Sequence, residues 1–359
     1  MPCYNEPVKE KEAAFMTENF QFQQGPARVA LSLPGYYVWD CSVIRAEGKY
    51  HMFSSRWPES KGFGANWLYC SEIIHSVSDT PEGPFRFQNV VLPRRERRYF
   101  DGMNTHNTCI REFEGKYYLY YMGCTYGGPV PEADDLQGQF FVETWNRKRI
   151  GLAVADSIDG PFVRREEPLL LPRDCSHWDC TCTTNPAVTI LPDGKTYMIY
   201  KSRRSVGSPL QLGAAVADHP AGPFRRLQEE PILKFDDPDV HIEDPCLWYD
   251  EKRAKFCLIA KDDSKNGAFG ITGEWGSGFY AESDDCIHFE TAPSPKVYSR
   301  TLRRPDGTAF TRCNLERPFV LLDEAGVPTH LYCASGQGAQ PYGFRGLTDI
   351  ICITLEKTK

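Results

Sequence analysis

The chain has 359 residues, 41% of them apolar and 13% aromatic, which is material for a large core and excludes an intrinsically disordered segment. A formal net charge of −7 disfavours nucleic acid or an anionic membrane surface as partner, since both select a basic field. No run of 18 apolar residues occurs, so no membrane-spanning helix is expected, and 29 Gly and 27 Pro without a collagen period point to short strands and tight turns.

Met1 to Gln24 is polar and lacks the apolar stretch of a secretory leader. The 14 cysteines are scattered, many inside apolar runs, and read as buried thiols in a reducing, cytoplasmic setting. The pair Cys180-x-Cys182 has no second pair at zinc spacing, so no zinc site is expected. Residues 1–26 read as an N-terminal extension and 27–359 as one domain.

Two phrases then recur along that domain. The first is a polar residue, an apolar run, a turn built on an acidic residue with Gly or Lys, and usually an aromatic strand. It begins at Asp40 (turn Glu47-Gly48-Lys49), Asn107 (Glu114-Gly115-Lys116), Asn185 (Asp193-Gly194-Lys195), Asp244 (Asp250-Glu251-Lys252) and Arg317 (Glu324-Ala325-Gly326). The steps between these residues are 67, 78, 59 and 73. The second phrase is a run of small and β-branched residues, a Gly-Pro turn and Phe: Gly83-Pro84-Phe85, Gly160-Pro161-Phe162 and Gly222-Pro223-Phe224, with a degenerate copy at Ser283–Phe289. Each unit reads as four antiparallel strands, and five units arranged radially make an all-β, five-bladed β-propeller. The fifth unit runs out of chain, and the segment Ala27–Leu33 is available as its missing strand. Insertions at 56–68 and 126–147 are candidate rim elements of a site.

In a propeller the first strand of each blade lines the axis. Asp40, Asn107, Asn185, Asp244 and Arg317 therefore converge, together with the preceding residues Trp39, His106, Thr184, Glu243 and Glu316. Such polar groups either satisfy one another and ordered water, or form a site in which crowded carboxylates raise one another's pKa. Trp39, Trp57, Trp67 and Phe100 are candidate stacking platforms for a ligand, with Arg317, Glu316, His106 and the rim residue Arg56 as candidate polar contacts.

Asp40-Cys-Ser-Val-Ile, Asn185-Pro-Ala-Val and Glu243-Asp244-Pro245 resemble the blade signatures of glycoside hydrolase family 43 and its five-bladed relatives, including family 117. The resemblance implies an inverting glycosidase, with Asp40 as base, Glu243 as acid and an orienting carboxylate in the third blade. That third position holds Asn185, a departure, because an amide orients but carries no charge. Asp179, on the loop entering the same strand, is the candidate replacement, and Asp101, at the equivalent entry of the second blade, a candidate substrate contact. His241, two residues before Glu243, is a further candidate by likeness to family 117. The expected substrate is a short oligosaccharide or small glycoside cut from its end (arabinofuranoside, xyloside or galactoside). No cofactor is expected beyond the axial calcium that some relatives hold. A glycoside phosphorylase or transferase, and a non-catalytic sugar-binding propeller, stand as alternatives.

Overall fold

The computed structural model describes residues 22–130, 138–235, 239–264, 270–340 and 346–357. Strand β1 (Phe22–Leu31) comes first. The first blade is β2 (Tyr36–Ala46), β3 (Lys49–Pro58), β4 (Glu72–Ser78) and β5 (Arg86–Leu92), with a short helix α1 (Trp67–Cys70) before β4. The second is β6 (Asn104–Phe113), β7 (Lys116–Cys124), β8 (Arg149–Ala155) and β9 (Val163–Arg164), with helix α2 (Gln139–Asn146) before β8. The third is β10 (Thr184–Ile190), β11 (Thr196–Ser202), β12 (Gln211–Ala217) and β13 (Arg225–Arg226). The fourth is β14 (Ile242–Asp250), β15 (Lys255–Asp262), β16 (Gly278–Ser283) and β17 (Glu290–Tyr298). A hairpin, β18 (Thr301–Arg303) and β19 (Ala309–Thr311), leads to the fifth blade, β20 (Glu316–Leu322), β21 (Pro328–Gly336) and β22 (Thr348–Lys357).

The fourth strand of the fifth blade is β1, which pairs with β22 in the register Ala27↔Ile353, Arg28↔Cys352, Val29↔Ile351. The N-terminal segment thus supplies the outer strand of the fifth blade and closes the ring. The closing strand begins at Phe22, ahead of the boundary at residue 27 read from the sequence.

The recurrent Phe shows how neighbouring blades adhere. Phe85 of the first blade meets Tyr332 of the fifth edge-on, Phe162 of the second meets Phe53 of the first, and Phe224 of the third meets Tyr120 of the second. Interplanar angles of 71° to 83° are those the ring quadrupole favours. Tyr332 and Tyr120 also donate their hydroxyls to the carbonyls of Pro81 and Pro220 in the turns that carry the Phe. The turn glycines Gly83, Gly160 and Gly222 all have φ between 82° and 88°, where a side chain is disfavoured.

All 13 described cysteines are free, and 11 are buried. No described helix is long and apolar enough to cross a membrane.

Candidate active site

The five aligned residues share one backbone anomaly. Asp40, Asn107, Asn185, Asp244 and Arg317 have φ of 41°, 58°, 54°, 59° and 56°, and each sits where the pairing of the first and second strands shifts register. Asp and Asn tolerate this left-handed conformation, and a bulge re-aims the side chain it carries. Pro186, Pro245 and Pro318 follow three of them, at bulges where the ladder needs no N–H.

Four contacts join the five residues in succession into a polar ring. The backbone N–H of Asn107 donates to Asp40 Oδ2 (2.9 Å), Asn107 Nδ2 to Asn185 Oδ1 (2.8 Å), and Asn185 Nδ2 to Asp244 Oδ1 (2.7 Å). Arg317 Nη1 lies 2.8 Å from Asp244 Oδ1 as an ion pair without hydrogen-bond alignment. Below the ring is a cavity of about 30 Å³, large enough for water alone. The Arg111 guanidinium crosses beneath it, donating to the carbonyls of Val188, Ile110 and Leu247. The space among the ring residues is therefore too small for a sugar.

Three carboxyl groups belong to this region. Asp40 is 2% exposed and accepts from Ser55 Oγ at 2.7 Å and from the backbone N–H of Asn107 and Thr108, with His106 Nε2 3.4 Å away. Burial outweighs these bonds and raises its pKa to about 6. Glu243 lies between Lys201 Nζ (2.5 Å) and Lys261 Nζ (3.2 Å). Burial opposes its ionisation, but Lys201, Lys261 and Arg317 prevail and hold it well below the usual carboxyl range. Glu316 shares Lys261 at 2.9 Å, and burial, with Asp244 and Glu243 nearby, raises it. Of the three, Glu243 thus holds its proton most weakly, while Asp40 and Glu316 are both shifted up. His106 is buried, 2.9 Å from Ser71 Oγ, and stacked on Trp67 (4.8 Å, 29°); burial, then Arg317, Lys148 and Lys201, keep it neutral.

Several residues expected at the site stand elsewhere. Asp179 is fully buried, bonded by Arg173 Nε (2.6 Å), Arg226 Nε (2.6 Å) and the Tyr200 hydroxyl (2.7 Å). Burial would raise its pKa, but these three bonds lower it, so it holds the third blade together and does not tune the axial carboxylates. Asp101 repeats the pattern in the second blade, its buried carboxylate bonded by Arg95 (2.5 Å), Arg164 (3.2 Å) and Tyr121 (2.7 Å). Gly151 and Gly213 make room for those tyrosine rings, which a Cβ would meet at 2.6 and 2.5 Å. Arg56 pairs with Glu72 and lies over the Tyr36 and Phe87 rings within the first blade. Trp57, 1% exposed, bonds the Gly62 carbonyl and is core, while Phe100 packs on Tyr121. Trp39 is buried edge-on against Phe63, next to Asp40. His241 lies partly buried at the entry of β14, its carbonyl accepting from the Asp263 N–H. Asn185 is a link of the ring.

Asp179→Asn is expected to cost about 3 kcal/mol of stability, because it breaks a buried ion pair from one side, while turnover stays near wild type. Denaturant unfolding and a rate assay check both. The depressed folded pKa makes the wild-type contribution complete above the unfolded value of 3.8 and lost as pH falls through the folded one, so the two proteins converge in acid.

The lysines escaped the sequence reading although the repeat marks them. Opposite Trp39, Thr184 and Glu243 in the second strands stand Ser55, Lys201 and Lys261, and all three reach axial carboxylates. They also bear on calcium. Arg317 and Lys201 (3.7 Å) already stand against Asp244, so the ring residues do not fit that ion. The cluster among the described residues that could hold a metal ion is His51, His75 and Asp159, off the axis. Imidazole donors there suit zinc-like metals better than calcium, and His51 Nδ1 and His75 Nε2 are hydrogen-bonded to each other at 2.9 Å.

No protein-family model and no curated protein sequence matches the chain significantly. Solved structures do resemble it. A family 117 glycoside hydrolase produced by the marine bacterium Zobellia galactanivorans has a TM-score of 0.65 at 18% identity, over 94% of this chain and 90% of that one. The α-L-arabinofuranosidase PaAbf62A from Podospora anserina has a TM-score of 0.60 at 11% identity, over 94% and 97%. A GH43_1 enzyme from Xanthomonas citri has a TM-score of 0.57 at 17% identity, over 93% and 91%. The fold is the five-bladed propeller of the family 43 and 117 type.

Proposed function

We propose that the chain is a glycoside hydrolase that removes a terminal sugar from a short oligosaccharide, seated over the polar ring. The observation that carries the reading is the set of carboxyl groups, Asp40, Glu243 and Glu316, that the first strands place around one axis, Glu243 and Glu316 sharing Lys261. Hydrolysis needs a carboxyl to protonate the leaving oxygen and a carboxylate to activate water. Asp40, ionised above about pH 6, serves as the base. Glu243 and Glu316 form the acid pair, with the proton on Glu316 and Glu243 kept charged by its lysines. Trp39 and His106 flank the seat. Cleavage at a chain end is part of the reading, and the resemblance to family 43 supports inversion. The sugar class (arabinofuranoside, xyloside or galactoside) and a reducing, cytoplasmic location are part of the same proposal.

A screen of aryl glycosides and short oligosaccharides, followed by NMR for the first anomer released, tests it. The expected result is a product of inverted configuration without any requirement for phosphate. Strictly phosphate-dependent release would make it a phosphorylase. Binding without product across the screen would leave only a sugar-binding propeller.

A further inference from the structure

Beside the axial ring, where the second and third blades meet, lie a buried lysine and a partly buried arginine without a counter-charge among the described residues. Lys148 is 2% exposed, its Nζ 3.3 Å from the centroid of the Trp145 indole and 5.9 Å from that of Trp67. Arg203 places Cζ 3.5 Å from the same Trp145 ring; its Nη2 reaches only the Asn146 side-chain oxygen at 3.4 Å, and its buried Nε has no partner. Among the described residues neither has a carboxylate at ion-pair distance, whereas Lys201, Lys261 and Arg317 all do. The shared aromatic face compensates part of the desolvation but supplies no counter-ion; burial, with Lys201, Arg203 and Arg317 nearby, holds the Lys148 pKa well below its ordinary value, so an anion placed beside it is what restores its charge.

The place connects to the proposed seat. Trp67 stacks on His106, whose Nε2 is 3.4 Å from Asp40. On the other side of helix α1, a cavity of about 310 Å³ is lined by Tyr69, Met103, Arg94, Arg95 and Arg97. Arg94 and Arg97 donate there to the neutral carbonyls of Tyr69 and Gly128. Arg95 is taken up by Asp101, so Arg94 and Arg97 are the cations this cavity offers.

We propose that Lys148 and Arg203, set against Trp145, form a site for the anionic substituent of an acidic sugar, a carboxylate or a sulfate ester. The substrate is then a uronate-containing or sulfated oligosaccharide. A guanidinium with a free Nε presents the donors that pair with such oxyanions, and the ammonium adds charge. The ring bearing the substituent lies toward Trp67 and the axis, and the outer arginine cavity receives a further anionic unit. The substrate class rests on the hydrolase reading; the anion site does not.

Calorimetric titration of the full chain with D-galactose, D-galacturonate, D-galactose 6-sulfate and inorganic sulfate decides it. At least one acidic sugar is expected to bind about ten-fold more tightly than galactose, and the margin to shrink in about 0.5 M NaCl. Comparison of the two acidic sugars distinguishes carboxylate from sulfate, and inorganic sulfate should compete with the one preferred. Arg203→Gln and Lys148→Met should each remove the margin, and Arg203→Lys restore part of it. Should Lys148→Met fail to fold, the less buried Arg203 decides alone. Equal binding of galactose and both acidic sugars, no binding by any probe, or a margin that survives Arg203→Gln overturns the site. An acidic preference without hydrolysis would sink the hydrolase reading and leave the site standing, and hydrolysis of neutral glycosides without that preference would do the reverse.

Discussion

Asp40→Asn is expected to lower kcat/KM by about 10³-fold or more while the propeller stays folded. The two effects separate because Asn keeps the shape of the residue. Its amide cannot accept from both backbone N–H groups that now bond Asp40, those of Asn107 and Thr108, so one hydrogen bond is lost, at about 1–2 kcal/mol. Against that, the wild type buries a charge. Its folded pKa, about 6, exceeds the unfolded 3.8, so the folded protein binds more protons between those values and loses stability as pH rises through that window. The full loss above pH 6 is at most about 3 kcal/mol. Asn removes this term, so unfolding midpoints near neutrality should shift little and their dependence on pH across the window should flatten. Activity has the opposite slope: the base works ionised, and wild-type kcat/KM should climb with pH through about 6. A variant that keeps more than a tenth of wild-type activity, or a wild-type profile flat across that region, would remove Asp40 from the role of base.

Much of this architecture is legible in the sequence because the propeller repeats. The turns at Gly83-Pro84-Phe85 and its two copies are written in residues with strong local preferences, and Asp40, Asn107, Asn185, Asp244 and Arg317 fall at five equivalent bulges with positive φ. Charge pairing is less legible, since it depends on which side chains meet across strands and blades. Asp179 reads from sequence as a spare carboxylate near the third blade's axial strand. It is consumed by Arg173 and Arg226, six residues before it and forty-seven after it in the chain. The resemblance makes Glu243 the acid, and nothing local announces that Lys201, from the preceding blade, contacts it at 2.5 Å. The repeat extends to second strands as well. Aligning Ser55, Lys201 and Lys261 across blades would have exposed the lysines, but lysines in strands ordinarily face solvent.

That inversion of proton affinity gives the other large effect. Glu316→Gln should reduce hydrolysis of a glycoside with a poor leaving group by about 10²- to 10⁴-fold and spare an aryl glycoside whose phenol leaves without protonation. Stability should change little, because an amide replaces a carboxyl that burial already disposes to hold its proton, and Lys261 keeps Asp263 at 3.1 Å and Glu243 at 3.2 Å. Glu243→Gln should behave differently. It removes the closest partner of Lys201, leaving that buried ammonium only Asp244 at 3.7 Å, and should cost about 3–5 kcal/mol. Its activity should fall on both kinds of glycoside, because the lost charge disturbs the whole lysine–carboxylate network and not the leaving group alone. Rate ratios between the two substrates, measured beside thermal unfolding, separate the roles. Leaving-group selectivity in Glu243→Gln and its absence in Glu316→Gln would return the acid to Glu243, and the lysines would then have to release it when substrate binds.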